Sequence, residues 1–250
     1  MMPVDDALCA LDARLRDSDY FPYYLTHRAR YRSDARRVLE AAGNGPMLEV
    51  GSVPCHATAL LALCGVPVVG VDLAPARAQA TINAFALDVR SCDIEREPLP
   101  FPDAHFDTVL FAETFEHLRV DPQFALSEIN RVMAMGGRLL LTTPNLYSAQ
   151  NIARFLAGRG ITDGLSEFSK LRHLGHMGHV REYAPAEVRR FLEASGFAIE
   201  RLDFAHYHYR PGKRGLLARL VFGVLPRHFR SFQVVTARKV RMGPWLSPLA

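Results

Sequence analysis

Short apolar segments alternate with helical segments through most of the chain. The apolar segments, which we predict to be strands, lie at 47–50, 66–72, 86–90, 106–111, 138–142, 198–205 and 231–239. Helical spacing predicts helices at 5–17, 27–42, 57–64, 122–134 and 185–196. Near-continuous apolar strands separated by helices are typical of a parallel sheet that is covered on both faces, so the pattern predicts an α/β fold.

Composition excludes several other classes. Of the 250 residues 49% are hydrophobic and 22% are charged, which suits a packed core and excludes wholesale disorder. No apolar stretch approaches the ~20 residues of a spanning helix, and residues 1–12 lack a signal-peptide pattern. The four cysteines show no CxxC spacing, so we expect reduced thiols and a cytoplasmic protein.

Charge is divided unevenly along the chain. Residues 1–145 carry 13 basic and 19 acidic side chains, whereas residues 146–250 carry 17 basic and 7 acidic ones. A net charge of +10 in the second part indicates an anionic partner: a phosphate, a nucleic acid or a membrane surface. Segment 210–230 surrounds an apolar run with basic residues and predicts either peripheral contact with an anionic membrane, at its inner face, or a cap on the sheet edge.

Acidic residues follow several predicted strands, where open α/β sheets bind ligands. Asp72 ends the second strand, 21 residues after Gly51, and suits two ribose hydroxyls. Its alternative role is a helix N-cap, because Pro75 follows. Asp93 precedes Ile94 after the third strand, where an acid can accept an adenine amino group and an apolar side chain can pack on the ring. The pattern suits a dinucleotide or an adenosyl compound.

The loop after the first strand decides between these two ligands. A dinucleotide fingerprint, GxGxxG, aims backbone N–H groups at a pyrophosphate. Here Val53 and His56 occupy the second and third glycine positions, and Pro54 removes one N–H group. An adenosyl compound without phosphate, such as S-adenosylmethionine, does not need this loop to aim several backbone N–H groups at a pyrophosphate. Such a compound is therefore favoured over a dinucleotide.

Five stretches carry a family resemblance: LEVGS (48–52), GVDLAP (70–75), CDIEREPLPFPDAHFDTVLFAETFEHL (92–118), MGGRLLLTTPN (135–145) and REYAPAEVRRFLEASGF (181–197). Over roughly residues 45–205 the chain resembles class I S-adenosylmethionine-dependent methyltransferases, and most closely the small-molecule and surface-polysaccharide type. The resemblance implies a transferase of the EC 2.1.1 type that uses S-adenosyl-L-methionine. It implies a Rossmann-like, mostly parallel seven-stranded sheet with helices on both faces and an antiparallel last strand. The glycine-poor loop departs from the family pattern.

The resemblance also implies a division of the chain and a set of cofactor contacts. Residues 1–45 would form a helical lid or cap, 46–145 the cofactor-binding core, 146–184 a substrate-side insertion, and 185–250 the completion of the sheet. Glu49 and Gly51 would border the methionine end of the cofactor. The remaining cofactor contacts would come from Asp72 and Leu73 at the ribose, Asp93 and Ile94 at the adenine, and Glu113 near the transferred methyl group.

Acceptor-side residues are predicted around two histidines. His117 and His179 are the candidate general bases, because imidazole titrates near neutral pH. A structural role for His117 is the alternative. Five further side chains are predicted to contact substrate: Tyr24, Arg28, Asn145, Arg181 and Tyr183.

Two metal sites are alternatives to this prediction. One would be built from Glu113, Glu116 and His117, and the other from His173, His176 and His179. Gly175 and Gly178 interrupt any helix that would align the second set. The expected site therefore contains no metal.

Three functional hypotheses follow. The first is O-methylation of a glycan, a lipid-linked sugar or another small metabolite. The second is RNA methylation, which the basic second part favours; the missing RNA-binding module and the missing Asn/Asp-Pro-Pro-Tyr/Phe motif disfavour a nucleic-acid partner. The third is a non-catalytic binding protein with a degenerate cofactor loop.

Overall fold

The computed structural model describes residues 1–41, 43, 45–174, 178–207, 222–247 and 249. In these ranges the strands are β1 Met47–Val50, β2 Val68–Asp72, β3 Asp88–Ser91, β4 Phe106–Ala112, β5 Met133–Pro144, β6 Phe197–Ala205 and β7 Phe232–Lys239. The helices are α1 Val4–Leu15, α2 Phe21–Ala41, α3 His56–Leu63, α4 Gln79–Phe85, α5 Pro122–Val132, α6 Ala149–Leu156, α7 Gly164–Leu174 and α8 Pro185–Ala194. Short 3₁₀ helices lie at Pro75–Ala78, Phe115–His117 and Arg227–Phe229.

The seven described strands form one sheet in the order β3-β2-β1-β4-β5-β7-β6. Strands β1 to β5 pair in parallel, and β7 pairs antiparallel with both β5 and β6. Every residue of β1 is buried, because helices cover both faces of the sheet. The predicted Rossmann-like fold with an antiparallel last strand is confirmed.

Two hydrophobic clusters hold the helices against the sheet. Leu48, Val109 and Phe111 face the cluster that includes α5 and α8. Met47 and Leu110 point the other way, into the cluster that includes α1, α2 and α3. This alternation follows from the two-residue period of a strand. The N-terminal helices are therefore a layer of the domain as well as a border of the site described below.

Two predicted boundaries are wrong, the start of α2 and the start of β5, while the others agree to within two residues. Helix α2 begins at Phe21, not at residue 27, because Pro22 fits the first helical turn, where a missing N–H group is not needed. Helix α5 ends at Val132, and Met133 already pairs with Phe106 of β4. Gly136 and Gly137 lie in an irregular part of β5 rather than at a helix end.

The predicted insertion, residues 146–184, begins and ends next to the end of β5. Asn145, directly after β5, forms a parallel bridge with Tyr183, and α6 and α7 lie between them. Residues 208–221 of the basic segment 210–230 lie outside the described residues. Within the described part of the chain, none of the helices combines the length and the apolar character needed to cross a bilayer.

Candidate active site

A cavity of about 1230 Å³ opens at the carboxyl ends of the parallel strands. Six of the predicted cofactor residues line it: Glu113, which is described with the polar wall below, and five that we call the strand-end floor, Gly51, Asp72, Leu73, Asp93 and Ile94. Ligand pockets commonly enclose about 300–1,000 Å³, so this cavity is large enough for a cofactor and an acceptor together.

Gly51 is required by both its conformation and its surroundings. Its φ is +75°, and a Cβ atom added there would lie 2.1 Å from the Thr114 Oγ1 atom. The chain therefore passes very close to the loop after β4, which leaves backbone rather than a side chain facing the cavity. This fits the predicted role of Gly51 at the cofactor.

Asp72 is held in place by two backbone groups. Its Oδ2 atom accepts a hydrogen bond from the Val53 N–H (3.0 Å), and its Oδ1 atom accepts one from the Ala74 N–H (2.9 Å). Each carboxylate oxygen has a second acceptor position, which remains for a ligand hydroxyl. Beside it Leu73 is 58% exposed, an unusual amount for an apolar residue in a cavity and suitable for covering a flat ring.

Glu49 lies beneath the floor rather than in it. The side chain is buried, it accepts a hydrogen bond from the Thr58 hydroxyl, and burial raises its pKa to about 8. Glu49 does not belong to the cavity lining that the structure describes. The Glu49 side chain is directed toward Thr58 of α3, and its predicted place at the methionine end stays a prediction.

Glu95 is a cavity residue that the sequence did not single out. Its buried carboxylate accepts hydrogen bonds from the Val120 N–H (2.6 Å) and the Arg119 N–H. It thereby ties the loop after β3 to the loop after β4. Its position two residues after Asp93 was the one available signal.

Four titratable side chains form another part of the cavity lining, and we call them the polar wall: Glu113, Glu116, His117 and His179. The Val180 N–H donates to the Glu116 carbonyl oxygen at 2.9 Å, which draws the end of the insertion onto the 3₁₀ helix after β4. As a result the rings of His117 and His179 lie 5.1 Å apart. Both predicted catalytic histidines are brought together.

Burial dominates the electrostatics of the polar wall. Burial raises the pKa of Glu113 and of Glu116. Repulsion from the Glu116 carboxylate raises the pKa of Glu113 further. Burial alone would lower the pKa of His179, but Glu182, Glu116 and Glu113 outweigh it and the pKa is raised. Glu113 also has a φ of +52°, a rare backbone conformation for a residue with a side chain.

A third set of residues, the aromatic wall, comes from the N-terminal helices: Tyr20, Tyr23, His27 and Arg30. Arg30 is only 5% exposed and lies 3.5 Å from Asp34. The nearby Glu113 and Asp34 carboxylates favour its charged form, so the pKa of Arg30 is raised although burial opposes this.

The structure places Tyr24 and Arg28, the predicted substrate contacts, on the other face of α2. The Tyr24 side chain is fully buried, and its hydroxyl donates to Asp12 at 2.5 Å. Arg28 forms an ion pair with the same carboxylate at 2.8 Å. Neither belongs to the described cavity lining, because both residues anchor α2 to α1.

Three further predicted substrate contacts have other positions. Asn145 is buried and donates to the carbonyl oxygens of His228 and Arg230, both at 2.8 Å, so it fixes the chain before β7. Tyr183 is packed in the core, and Arg181 pairs with Glu187 at the surface. None of the three lines the cavity as described. His176 and the side chain of His173 lie outside the described residues.

Several known proteins are similar to this chain in sequence. Residues 48–141 match the family model described as a methyltransferase domain. A demethylmenaquinone methyltransferase of Thermus thermophilus is 42% identical over 80 residues, which are 31% of this chain and 36% of that protein. A protein of Mycolicibacterium smegmatis named as a probable S-adenosylmethionine-dependent methyltransferase is 31% identical over 71% of this chain and 60% of its own length.

The chain contains a methyltransferase domain. A solved SAM-dependent methyltransferase of Thermotoga maritima has the same fold, with a TM-score of 0.59 and 18% identity over 92% of this chain and 99% of that one. The predicted class, S-adenosylmethionine-dependent methyltransferases, and the predicted cofactor of that class are confirmed. The chain spans 36% and 60% of the lengths of the Thermus and Mycolicibacterium relatives, so the activity of the whole protein is a proposal.

Proposed function

We propose that the protein transfers a methyl group from S-adenosylmethionine to a hydroxyl oxygen of a small acceptor. The observation that carries this proposal is the single cavity in which the strand-end floor faces the polar wall. The floor offers carboxylates and apolar side chains to the ribose and the adenine of an adenosyl group. The polar wall adds further carboxylates and two imidazoles. Bound S-adenosylmethionine supplies a methyl group made electrophilic by the sulfonium charge.

The floor residues fit this cofactor. Asp72, oriented by two backbone N–H groups, would accept hydrogen bonds from the ribose hydroxyls. Asp93 would accept one from the adenine amino group, with Leu73 and Ile94 covering the ring. Gly51 leaves the space that a side chain would fill.

The chain's own contribution to catalysis is positioning and proton handling. The two walls would hold the acceptor against the floor and exclude water from it. His117 and His179 are the proposed catalytic groups, since one imidazole nitrogen at the cavity can take the proton of an acceptor hydroxyl. Arg30 is buried near Glu113, and its positive charge balances the negative charge of the carboxylates in the polar wall.

A glycan, a lipid-linked sugar or another small metabolite is the proposed acceptor. Tyr20 and Tyr23 in the aromatic wall support a ring-shaped acceptor, because aromatic faces pack on flat apolar surfaces. The Thermus relative is named for a quinone substrate, which suits the same wall and makes a hydroxylated aromatic ring a second candidate. Contact with an anionic membrane through segment 210–230 stays a prediction.

Calorimetric titration with S-adenosylmethionine tests the cofactor site. We expect Asp72→Ala to weaken binding by about 1.5–3 kcal/mol, the range for hydrogen bonds to a charged group. Asp88→Ala is the matched control, because Asp88 is an exposed carboxylate at the start of the neighbouring strand β3 and should leave affinity unchanged. A folded wild-type protein that gives no binding heat would contradict the proposed function and favour a non-catalytic protein.

A further inference from the structure

One carboxylate oxygen in the polar wall lacks an ordinary partner. The Glu116 side chain is 0% exposed, and its Oε2 atom accepts a hydrogen bond from the Thr143 hydroxyl at 2.9 Å. Its Oε1 atom is buried and has no hydrogen-bond partner among the described residues. Leaving a charged oxygen in this state is costly, so such an atom indicates a missing ligand.

Two imidazole nitrogens converge on this oxygen. The Nε2 atom of His117 lies 4.0 Å from Glu116 Oε1, and the Nε2 atom of His179 lies 3.9 Å from it. The three ligand atoms all fall within 4.8 Å of one another. These distances are too long for hydrogen bonds. They suit three ligands around one ion, since bonds of about 2.0–2.2 Å place tetrahedral ligands roughly 3.5 Å apart.

The other ring nitrogen of each histidine is already oriented. His117 Nδ1 donates to the Gly178 carbonyl oxygen at 2.8 Å, and this tautomer places the lone pair on Nε2. His179 Nδ1 lies 3.6 Å from a Glu182 carboxylate oxygen. A carboxylate or carbonyl behind a histidine is the usual support of a metal ligand.

We propose that Glu116, His117 and His179 bind one divalent first-row transition-metal ion, of the Mn²⁺, Fe²⁺, Co²⁺ or Zn²⁺ class. Two imidazoles favour these ions over Mg²⁺ and Ca²⁺, which prefer oxygen ligands. This proposal replaces the expected metal-free site. The ion would occupy the polar wall and keep open positions toward the cavity, because three protein ligands converge among the residues that the structure describes.

The chemical role of the ion rests on the proposed function. An acceptor hydroxyl bound at an open position would have its pKa lowered, and its proton would leave to water. His117 and His179 would then act as ligands rather than as general bases. The binding of the ion itself does not depend on methyl transfer, so the two proposals fail separately.

The test starts from protein freed of metal by a chelator and titrated with Co²⁺ and Mn²⁺. We expect one site per chain, a Co²⁺ absorption band in the visible range, and affinity at least 100-fold weaker for Mg²⁺. Glu116→Gln and His179→Asn should each lower Co²⁺ affinity by about 100-fold or more. Glu182→Gln, which removes the charge behind His179 and keeps an amide oxygen that can accept from the Asn151 side chain, should lower it by about 10-fold.

His105→Ala is the matched control, because His105 is an exposed histidine outside the cavity lining. Circular dichroism establishes that each variant is folded, and S-adenosylmethionine titration reports on the cofactor site in parallel. Equal Co²⁺ affinity in wild type, Glu116→Gln and His179→Asn would overturn the metal site. So would absence of binding in a wild-type protein that still binds S-adenosylmethionine, and this second result would leave the proposed function standing.

Discussion

Each residue of the strand-end floor lies at the end of a strand or in the loop after it, whereas the polar wall depends on contacts between distant parts of the chain. His117 Nδ1 reaches the Gly178 carbonyl oxygen across 61 positions. Parallel strands bring their carboxyl ends to one edge of the sheet by topology alone. The polar wall exists only because the insertion returns to β5 through the bridge between Asn145 and Tyr183.

The two regions also differ in how deeply their carboxylates are buried. Asp72 and Asp93 in the floor are half-buried and keep acceptor positions toward the cavity. Glu116 in the polar wall is fully buried, with one oxygen unpartnered among the described residues. A half-buried carboxylate costs little without ligand, but a buried one requires compensation. The comparison therefore predicts that the floor tolerates an empty state better than the polar wall does.

The largest effect should come from filling the space at Gly51. Gly51→Ala places a Cβ atom 2.1 Å from Thr114 Oγ1 and should weaken S-adenosylmethionine binding by about 100-fold, because the loop after β4 must move. Calorimetric titration measures the affinity, and thermal unfolding measures the accompanying loss of stability.

Gly136→Ala is the control for Gly51→Ala. Gly136 has a similar φ of +80°, but a Cβ atom there meets nothing within 4 Å. Through backbone strain, Gly136→Ala should lower the free energy of unfolding by about 1–2 kcal/mol. Cofactor affinity should stay unchanged. Equal cofactor affinities for the two variants would show that the floor does not depend on the close approach at Gly51.

A second, smaller effect concerns His56, which starts α3 directly behind the floor. Burial among tyrosines lowers its pKa to about 4, so the folded protein keeps it neutral while the unfolded chain protonates it near pH 6.5. The unfolded state then binds more protons below pH 6.5, and stability falls as the pH drops from 6.5 toward 4. The contribution lost by pH 5 is about 2 kcal/mol.

Urea unfolding at pH 7 and pH 5 checks this expectation. His56→Gln should lose less stability than wild type between the two values, by about 2 kcal/mol. His105→Gln removes an exposed histidine and should follow wild type. Parallel behaviour of His56→Gln and wild type would mean that the site behind the floor admits water and is less rigid than its packing indicates.

The same contrast explains what the sequence could predict. Asp72, Asp93 and His117 were singled out because each lies at the end of a strand or within five residues after it, and strands are recognisable from apolar runs. Glu95 and Arg30 were missed because nothing local marks them as facing a cavity. His179 was found from its neighbourhood, but its approach to Glu116 requires the long-range return of the insertion.

The start of helix α2 explains why the sequence pointed to Tyr24 and Arg28 rather than to the residues of the aromatic wall. With the helix predicted to begin at residue 27, nothing fixed which of the preceding tyrosines shares a helix face with His27 and Arg30. The observed start at Phe21 puts Tyr23, His27 and Arg30 on the cavity face at spacings of four and three. Tyr24 and Arg28 then fall on the adjacent face, toward α1.

The smallest expected effect separates these two faces of α2. Tyr24→Phe removes the hydrogen bond to Asp12 and should lower stability by about 1 kcal/mol, with the KM for the acceptor unchanged. Tyr23→Ala removes a 44% exposed ring from the cavity and should raise the acceptor KM several-fold with little loss of stability. Urea unfolding and steady-state kinetics on one acceptor measure both quantities for both variants. If instead Tyr24→Phe raised KM and Tyr23→Ala did not, the acceptor would contact the face of α2 that packs on α1. The aromatic wall would then be only a structural border of the floor and would not contact the acceptor.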